Sequence, residues 1–220
     1  MRYIYLLLVP ILGFAGEYYG KVEPIDSFVI TSKVSGKVVF TNDSLEGKVA
    51  KDEPIVKIDD EVAKASYEVA KTTFEIKENQ YRKIEALSTK SQTEKDNEKI
   101  SYLNAKQSYI VAKDNYYSRT LRATGLYIQD IKVKKGGFVN PGTPLFEAMD
   151  ISKSKITIFV TKEDLENIEN KKIIVGGKEG VYALGKYNKV VDSTYISSFK
   201  VELIGKKPES FSQVVKVEIK

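Results

Sequence analysis

The sequence predicts a mainly β protein that is interrupted by a long α-helical coiled-coil hairpin. The stretch 60–121 contains no Gly and no Pro, is rich in Lys, Glu, Ala and Gln, and carries apolar residues at helical spacing. Segments rich in Val and Ile, punctuated by Gly and Pro, lie on both sides of it. These flanking segments also share an internal repeat, so one strand-rich unit is expected to begin before the helices and to close after them.

Composition excludes several kinds of site. The 220 residues include no Cys and no His, which rules out disulfides, thiol chemistry, ordinary zinc sites and His-based catalysis. Met occurs only at Met1 and Met149, too few for a thioether copper site. Asp59 and Asp60 are adjacent, but they read as a strand end and a helix cap. We therefore expect no enzyme activity, no cofactor and no metal.

The charged residues are mixed along the chain. The formal charge of +5 comes from 35 basic and 30 acidic residues, which are interleaved throughout. Nucleic-acid binding requires a concentrated basic stripe, and the linear sequence contains none. We therefore expect no nucleic-acid partner.

The first 15 residues are typical of a signal peptide. Arg2 precedes the apolar run 3–14, and the small residues Gly13, Ala15 and Gly16 close it, so cleavage is expected near Ala15. The run is shorter than the roughly 20 apolar residues that cross a bilayer. A buried first strand and an uncleaved anchor are the alternatives. Export of a chain without Cys suits a bacterial periplasm.

Strands are predicted on both sides of the helical stretch. Residues 18–29 read as extended structure broken at Pro24, residues 30–40 as two strands joined by a turn at Ser35-Gly36, and residues 54–59 as a further strand.

The flanking segments repeat with a shift of 90 residues. The matches at this shift are Gly47 with Gly137, Val49 with Val139, Pro54 with Pro144, Ile55 with Leu145, and Asp60 with Asp150. Gly36 corresponds to Gly125 with one residue of slippage, and Asp52 lies where Gly142 lies. Two such copies facing each other predict a flattened sandwich. Chance similarity of Gly/Pro turns is the alternative.

Residues 151–220 are again strand-rich. Strands are predicted at 155–160, 172–175, 181–184, 189–196, 199–204 and 214–219, with a short helix at 162–170. Short strands with regular turns indicate a small barrel. The strand 18–22 is expected to close it, because the two ends of the chain would then meet.

The helical stretch predicts two antiparallel helices of roughly 28 residues each, about 42 Å long. A heptad seam is predicted in the second helix at Ile100, Leu103, Gln107, Ile110, Asp114, Tyr117 and Leu121. A looser series in the first comprises Val62, Ala65, Val69, Ile76, Ile84 and Leu87. The polar segment 88–93 separates them, and a capping box of Ser91 and Glu94 begins the second. The hairpin could fold back as core, but its charged outer faces favour projection.

The order of these elements resembles the periplasmic adaptor proteins, also called membrane fusion proteins of the HlyD/RND type. A split lipoyl-like pattern is similar to residues 34–39 and 46–60 in the first half, and to residues 120–123 and 137–146 in the second. The entry into the barrel, residues 150–165, is also similar. Each motif alone is weak, but their order around a helical hairpin is specific.

The resemblance implies a domain organisation. A lipoyl-like barrel-sandwich hybrid would comprise 26–59 and 122–150, the hairpin 60–121, and a small β-barrel 16–25 with 151–220. The sequence departs from the family pattern at two places. Lys51-Asp52 replaces the usual Lys-Gly turn, and the segment 123–125 is shorter than in the family and lacks Pro. The chain ends after one barrel, so it resembles a minimal adaptor.

The resemblance also implies a function and partners. The chain would be the adaptor of a tripartite efflux pump in the periplasm of a Gram-negative cell envelope. It would bridge an inner-membrane transporter of the RND type to an outer-membrane channel of the TolC type, as a trimer or hexamer. An adaptor of a type I secretion system or an ABC-type exporter is the alternative. A lipoyl or biotinyl carrier domain would need a modifiable Lys at a turn that the helices replace here.

The tip of the hairpin is the predicted docking site for the channel. The family's tip motif has an Arg, a Leu and a Ser, and the matching residues are Arg82, Leu87 and Ser91, with Glu94 and Asp96 following. The interval from Arg82 to Ser91 is about two residues shorter than the family pattern. Ser91 also reads as a helix cap, and Arg82 as a solvated helix residue.

Overall fold

The computed structural model describes residues 16–195 and 197–220, so the predicted signal peptide lies outside the described residues. The chain forms two compact units, of which one is Phe28–Met149 and the other combines the chain up to Ser27 with Asp150–Lys220. Both units contain antiparallel strands, and a hairpin of two long helices interrupts Phe28–Met149. The predicted fold class, mainly β with a long helical hairpin, is confirmed.

The strands are β1 (Gly16–Thr31), β2 (Gly36–Thr41), β3 (Lys48–Ile58), β4 (Thr120–Ile131), β5 (Phe138–Val139), β6 (Pro144–Val160), β7 (Ile173–Val175), β8 (Lys178–Glu179), β9 (Tyr182–Tyr187), β10 (Phe199–Lys206) and β11 (Val214–Ile219). The helices are α1 (Glu61–Glu85), α2 (Gln92–Tyr117) and the short α3 (Lys162–Leu165). None of the helices within the described ranges is both long and apolar enough to cross a bilayer.

The strand register of the unit Phe28–Met149 confirms the 90-residue repeat. Strands β5, β2, β3, β4 and β6 pair in this order, all antiparallel. Strand β2 pairs with β3 as Val38–Ile58, Phe40–Lys57 and Thr41–Val56, and β4 pairs with β6 as Ile128–Ala148, Asp130–Glu147 and Ile131–Phe146. Adding 90 to the residue numbers of each β2–β3 pair gives the corresponding β4–β6 pair. Both pairs of strands also carry a β-bulge at the equivalent step.

The two halves of the repeat also supply equivalent core residues. The fully buried pairs at this shift are Val38 with Ile128, Ile55 with Leu145, Val56 with Phe146, and Ile58 with Ala148. Asp52 adopts a positive φ of 73°, as its counterpart Gly142 does at 88°. The apolar residues of each half therefore pack against those of the other half in one core.

The other unit is built from antiparallel strands at both ends of the chain. β1 pairs with β11, placing Tyr18 opposite Val217, so the two ends meet as predicted. β11 continues to β7 and β8, while β6 pairs with β10 and β10 with β9. The core includes Ile156, Val201 and Val217, all fully buried.

Three local predictions in this region were wrong. The predicted strand 189–196 is irregular over 189–195. The predicted helix 162–170 is split, because Asn167 adopts a left-handed φ of 55° between α3 and a 3-10 turn at Ile168–Asn170. Strand β1 runs through Pro24 without a break. The ladder with β11 covers Gly16–Lys21, so Pro24 lies beyond it and removes no donor from it.

Candidate functional site

The hairpin of α1 and α2 is the candidate functional site, and its helices meet through a heptad series. In α1 the side chains shielded from solvent include Ala63, Tyr67, Ala70, Phe74, Lys77, Tyr81 and Ile84. In α2 they include Lys95, Glu98, Tyr102, Ala105, Tyr109, Ala112 and Tyr116. Both sets alternate spacings of three and four, which places each on one face of its helix.

Aromatic rings occupy every second position of this seam. Tyr67, Phe74 and Tyr81 on α1 are spaced by seven residues, as are Tyr102, Tyr109 and Tyr116 on α2. Rings from the two helices alternate along the hairpin with centroids 5.2–5.8 Å apart, within the range of favourable aromatic pairs. The pKa of Tyr67 is raised to about 12, chiefly because it hydrogen-bonds to Tyr117 and is desolvated, so this hydroxyl remains neutral.

Apart from Ile84 near the tip, the intervening seam positions are small or charged. Ala70 and Ala105 let the backbones approach, and Ala105 is buried. Lys77 Nζ lies 3.5 Å from Glu98 Oε1 across the seam, with both side chains largely shielded. A single ion pair in a seam favours one register over others.

The seam predicted from the sequence was wrong. Of its members, Val62, Val69 and Ile76 on α1, and Ile100, Leu103 and Ile110 on α2, are 48–80% exposed. Both the aliphatic and the aromatic series have heptad spacing, so spacing alone does not identify the buried face. Aromatic rings bury more area per residue and stack with each other, which favours their face. The seven-residue spacing of Tyr and Phe on both helices was the signal that could have identified it.

Hydrogen bonds to Arg119 tie the base of the hairpin together. Arg119 Nη1 donates to the carbonyl oxygen of Asp59 (2.5 Å), two residues before α1, and to that of Ser35 (3.5 Å). The Ile58 amide donates to the carbonyl oxygen of Arg119 (2.7 Å). The end of α2 is therefore fixed to the start of α1.

The tip begins where α1 ends at Glu85 and finishes where α2 starts at Gln92. The predicted capping box is confirmed: the Glu94 amide donates to Ser91 Oγ (3.3 Å), and the Ser91 amide donates to Glu94 Oε2 (3.0 Å). The helices have 25 and 26 residues, slightly shorter than predicted.

Electrostatics hold the Glu94 carboxylate in its charged form. Lys90 Nζ lies 2.8 Å from Glu94 Oε1. This contact and the hydrogen bonds from Ser91 lower the pKa of Glu94 to about 2. The cap is therefore formed throughout the physiological pH range.

The remaining predicted tip residues are not drawn into one cluster. Arg82 Nη2 lies 2.9 Å from Glu78 one turn earlier, and the Gln92 side chain donates to Asp96 (2.8 Å). Leu87 lies in the turn and is 46% exposed. The structure thus joins Ser91 to Glu94, gives Arg82 and Asp96 partners on their own helices, and leaves the Leu87 side chain half exposed.

A groove of 810 Å³ runs along one side of the hairpin. Small side chains line it, including Ser66, Ala70, Thr73, Ser101 and Ala105. Exposed Val69 also borders the groove. Lys77 is the one charged residue of this lining, so the groove arranges no acid–base pair.

No protein-family model and no curated protein matches this sequence. A MacA-MexA chimeric protein, which contains the Pseudomonas aeruginosa MexA α-hairpin domain, is 19% identical and has a TM-score of 0.72, covering 94% of this chain and 80% of its own.

Two further solved structures are similar. One is a proposed efflux transporter from Bacteroides eggerthii DSM 20697, which is 20% identical with a TM-score of 0.68 over 93% of this chain and 68% of its own. The other is the membrane fusion protein Spr0693 from Streptococcus pneumoniae R6, which is 15% identical with a TM-score of 0.65 over 93% of this chain and 98% of its own. The chain therefore has the fold of these proteins, which include a membrane fusion protein.

Proposed function

We propose that this protein is the periplasmic adaptor of a tripartite efflux pump in a Gram-negative cell envelope. It would bridge an inner-membrane transporter of the RND type to an outer-membrane channel of the TolC type. The observation that carries the proposal is the long hairpin inserted between two halves of a 90-residue repeat, in a chain that shares its fold with membrane fusion proteins. Its work would be assembly, without chemistry of its own.

The strand-rich part of the protein would supply the transporter end of the bridge. We assign a lipoyl-like barrel-sandwich hybrid to 26–59 and 122–150, and a small β-barrel to 16–25 with 151–220. The repeated hairpins support the first assignment, and the pairing of β1 with β11 supports the second. The barrel would contact the transporter, and a signal peptide at 1–15 would direct export.

Docking on the channel would use the tip of the hairpin. Leu87 and Arg82 have exposed side chains there, at 46% and 71%. Ser91 and Glu94 would act by fixing the start of α2, and Asp96 by holding Gln92. Arg is among the residue types that most often contribute binding energy at protein interfaces.

Copies of the protein would pack side by side, as a trimer or hexamer. Exposed apolar side chains recur every seven residues on each helix: Val62, Val69 and Ile76 on α1, and Leu103, Ile110 and Tyr117 on α2. Since the two series lie on different helices, a contact between them would be head to tail, and such a contact forms a ring when the rotation between copies closes.

A photo-crosslinking amino acid at Leu87 tests the docking in cells. We expect capture of an outer-membrane channel, because Leu87 is a large apolar residue exposed in the turn. The matched control is the same amino acid at Thr72, an exposed position in the middle of α1, which should capture no channel. Identical captured proteins at the two positions would remove the tip from the docking role.

A further inference from the structure

One sheet face of the unit containing Asp150–Lys220 is strongly basic. In β6 and β10 the residues Ser154, Ile156, Val201 and Leu203 are fully buried, so their sequence neighbours lie on the opposite, outer face. The lysines on this outer face of β6, β10 and β9 are Lys153, Lys155, Lys186, Lys200 and Lys206.

Acidic residues only partly balance these lysines. Glu202 lies on the same face with its Oε1 2.8 Å from Lys200 Nζ. That contact lowers the pKa of Glu202, and the nearby Lys155 and Lys186 lower it further. The pKa of Asp150 is lowered chiefly because it accepts hydrogen bonds from Ser152, and the nearby Lys153 lowers it further. Strand β1 neighbours β6 in the sheet, and its Glu17, Lys21 and Glu23 line a groove with Thr157 and Phe159 of this outer face. Glu17 is paired with Lys216. The lysines still outnumber the carboxylates, so the face retains a positive charge.

Two of the lysines face each other directly. Lys153 on β6 is the cross-strand partner of Lys206 on β10, and like charges at this position destabilise a sheet. No carboxylate of the described residues lies within ion-pair distance of either lysine. Both border a groove of 350 Å³, which is lined also by Ser152, Val181 and Ile204. An anion between the two ammonium groups would remove their repulsion.

Apolar side chains accompany the lysines on this face. Ile204 lies between Lys200 and Lys206 in β10, opposite Lys155. Phe159 is the partner of Lys200 and packs on Tyr195 with ring centroids 4.1 Å apart. Since Tyr195 covers it, the Phe159 ring is not a free platform for a nucleic-acid base. Lysines interspersed with aromatic and aliphatic groups are typical of surfaces that contact lipid headgroups.

We propose that this basic face binds the anionic headgroups of a phospholipid bilayer, with Lys153 and Lys206 holding a headgroup phosphate between them. The inference rests on the proposed function only for the location beside the inner membrane. The protein would thus contact the lipid surface directly, in addition to its transporter.

Vesicle sedimentation with the purified full chain tests the proposal. The chain should bind vesicles of phosphatidylglycerol and phosphatidylcholine but not vesicles of phosphatidylcholine alone. Binding should weaken as the salt concentration rises from about 0.05 to 0.5 M, because screening shortens the reach of the charges. The double variant K153Q/K206Q should lose affinity for the anionic vesicles by about tenfold or more.

The matched control is K64Q/K106Q, which removes the same charge from exposed positions on the hairpin. It should bind within about twofold of the unchanged chain, since distant charges are screened. Equal losses in the two variants, equal binding to neutral vesicles, or tighter binding to an oligonucleotide than to anionic vesicles would overturn the proposal. No transporter is present in this assay, so its failure would leave the bridging role standing, and failure to find a transporter would leave the vesicle result intact.

Discussion

Charged side chains at the tip of the hairpin first stabilise the hairpin itself. Glu94 accepts hydrogen bonds from Ser91 and pairs with Lys90, while Lys95 Nζ donates to the carbonyl oxygen of Glu85 across the turn (3.1 Å). The capping box was predictable because it depends on residues three apart. The partners of Arg82 and Asp96 are also local, one turn away, but helical spacing alone does not decide between such a partner and a bound protein.

Acidification should open the cap of α2 at an unusually low pH. The pKa of Glu94 in the folded protein is lowered to about 2 from its ordinary value of 4.5, so the carboxylate stabilises the folded tip above pH 4.5. That contribution should be lost as the pH falls from 4.5 through about 2. An NMR titration of the Glu94 carboxyl measures it, and a midpoint near 4.5 would show that the cap is absent in solution.

Asp52→Gly should stabilise the protein. Asp52 adopts a positive φ of 73° at the turn where the second half of the repeat has Gly142. A left-handed conformation disfavours residues with a Cβ, so we expect a gain of about 0.5–1 kcal/mol in the free energy of unfolding. Urea unfolding measures it. Lys51→Gly is the control, which should destabilise because Lys51 lacks a positive φ and Gly adds chain entropy when unfolded. A loss of stability in Asp52→Gly would contradict this account of the turn.

At the scale of the elements, the face that each helix buries determines which side chains of the hairpin remain exposed. Burying the aromatic series leaves the aliphatic series exposed on both helices, where it is available to other copies of the chain. The existence, length and polarity of the two helices were predictable from periodicity and from the absence of Gly and Pro. The buried face was not, because two heptad series on each helix compete and side-chain packing across the pair decides between them.

Phe74→Ala and Ile76→Ala distinguish the two faces. Phe74 stacks on Tyr109 at 5.2 Å and contacts Tyr102 at 5.8 Å, so its truncation should destabilise the hairpin. We expect a loss of about 2 kcal/mol, below the value for a fully buried ring. Ile76 is 51% exposed, and its truncation should change stability by less. Thermal unfolding followed by far-ultraviolet circular dichroism measures both, and a larger loss from Ile76→Ala would restore the aliphatic seam.

At the scale of the whole molecule, the 90-residue repeat was the most predictive feature of the sequence. Gly and Pro at matching turns gave the correct shift, since such turns set the register of the strands that follow them. The irregular segment 189–195 and the continuous path of β1 through Pro24 were not predictable from local patterns. The basic face was also not predictable from the sequence, because lysines alternate with buried residues along β6 and β10. Only the register of the paired strands shows that these lysines share one face.

Affinity purification from membranes, with a tag after Lys220, tests the central claim that this protein bridges two membranes. We expect recovery of an inner-membrane RND-type transporter together with an outer-membrane channel. The recovery of the channel should fall when Leu87 is replaced by Asp, because a buried charge at the tip would disfavour docking, whereas recovery of the transporter should be unchanged. Recovery of an ABC-type exporter would contradict the assignment of the transporter, and recovery of neither a transporter nor a channel would contradict the bridging role itself.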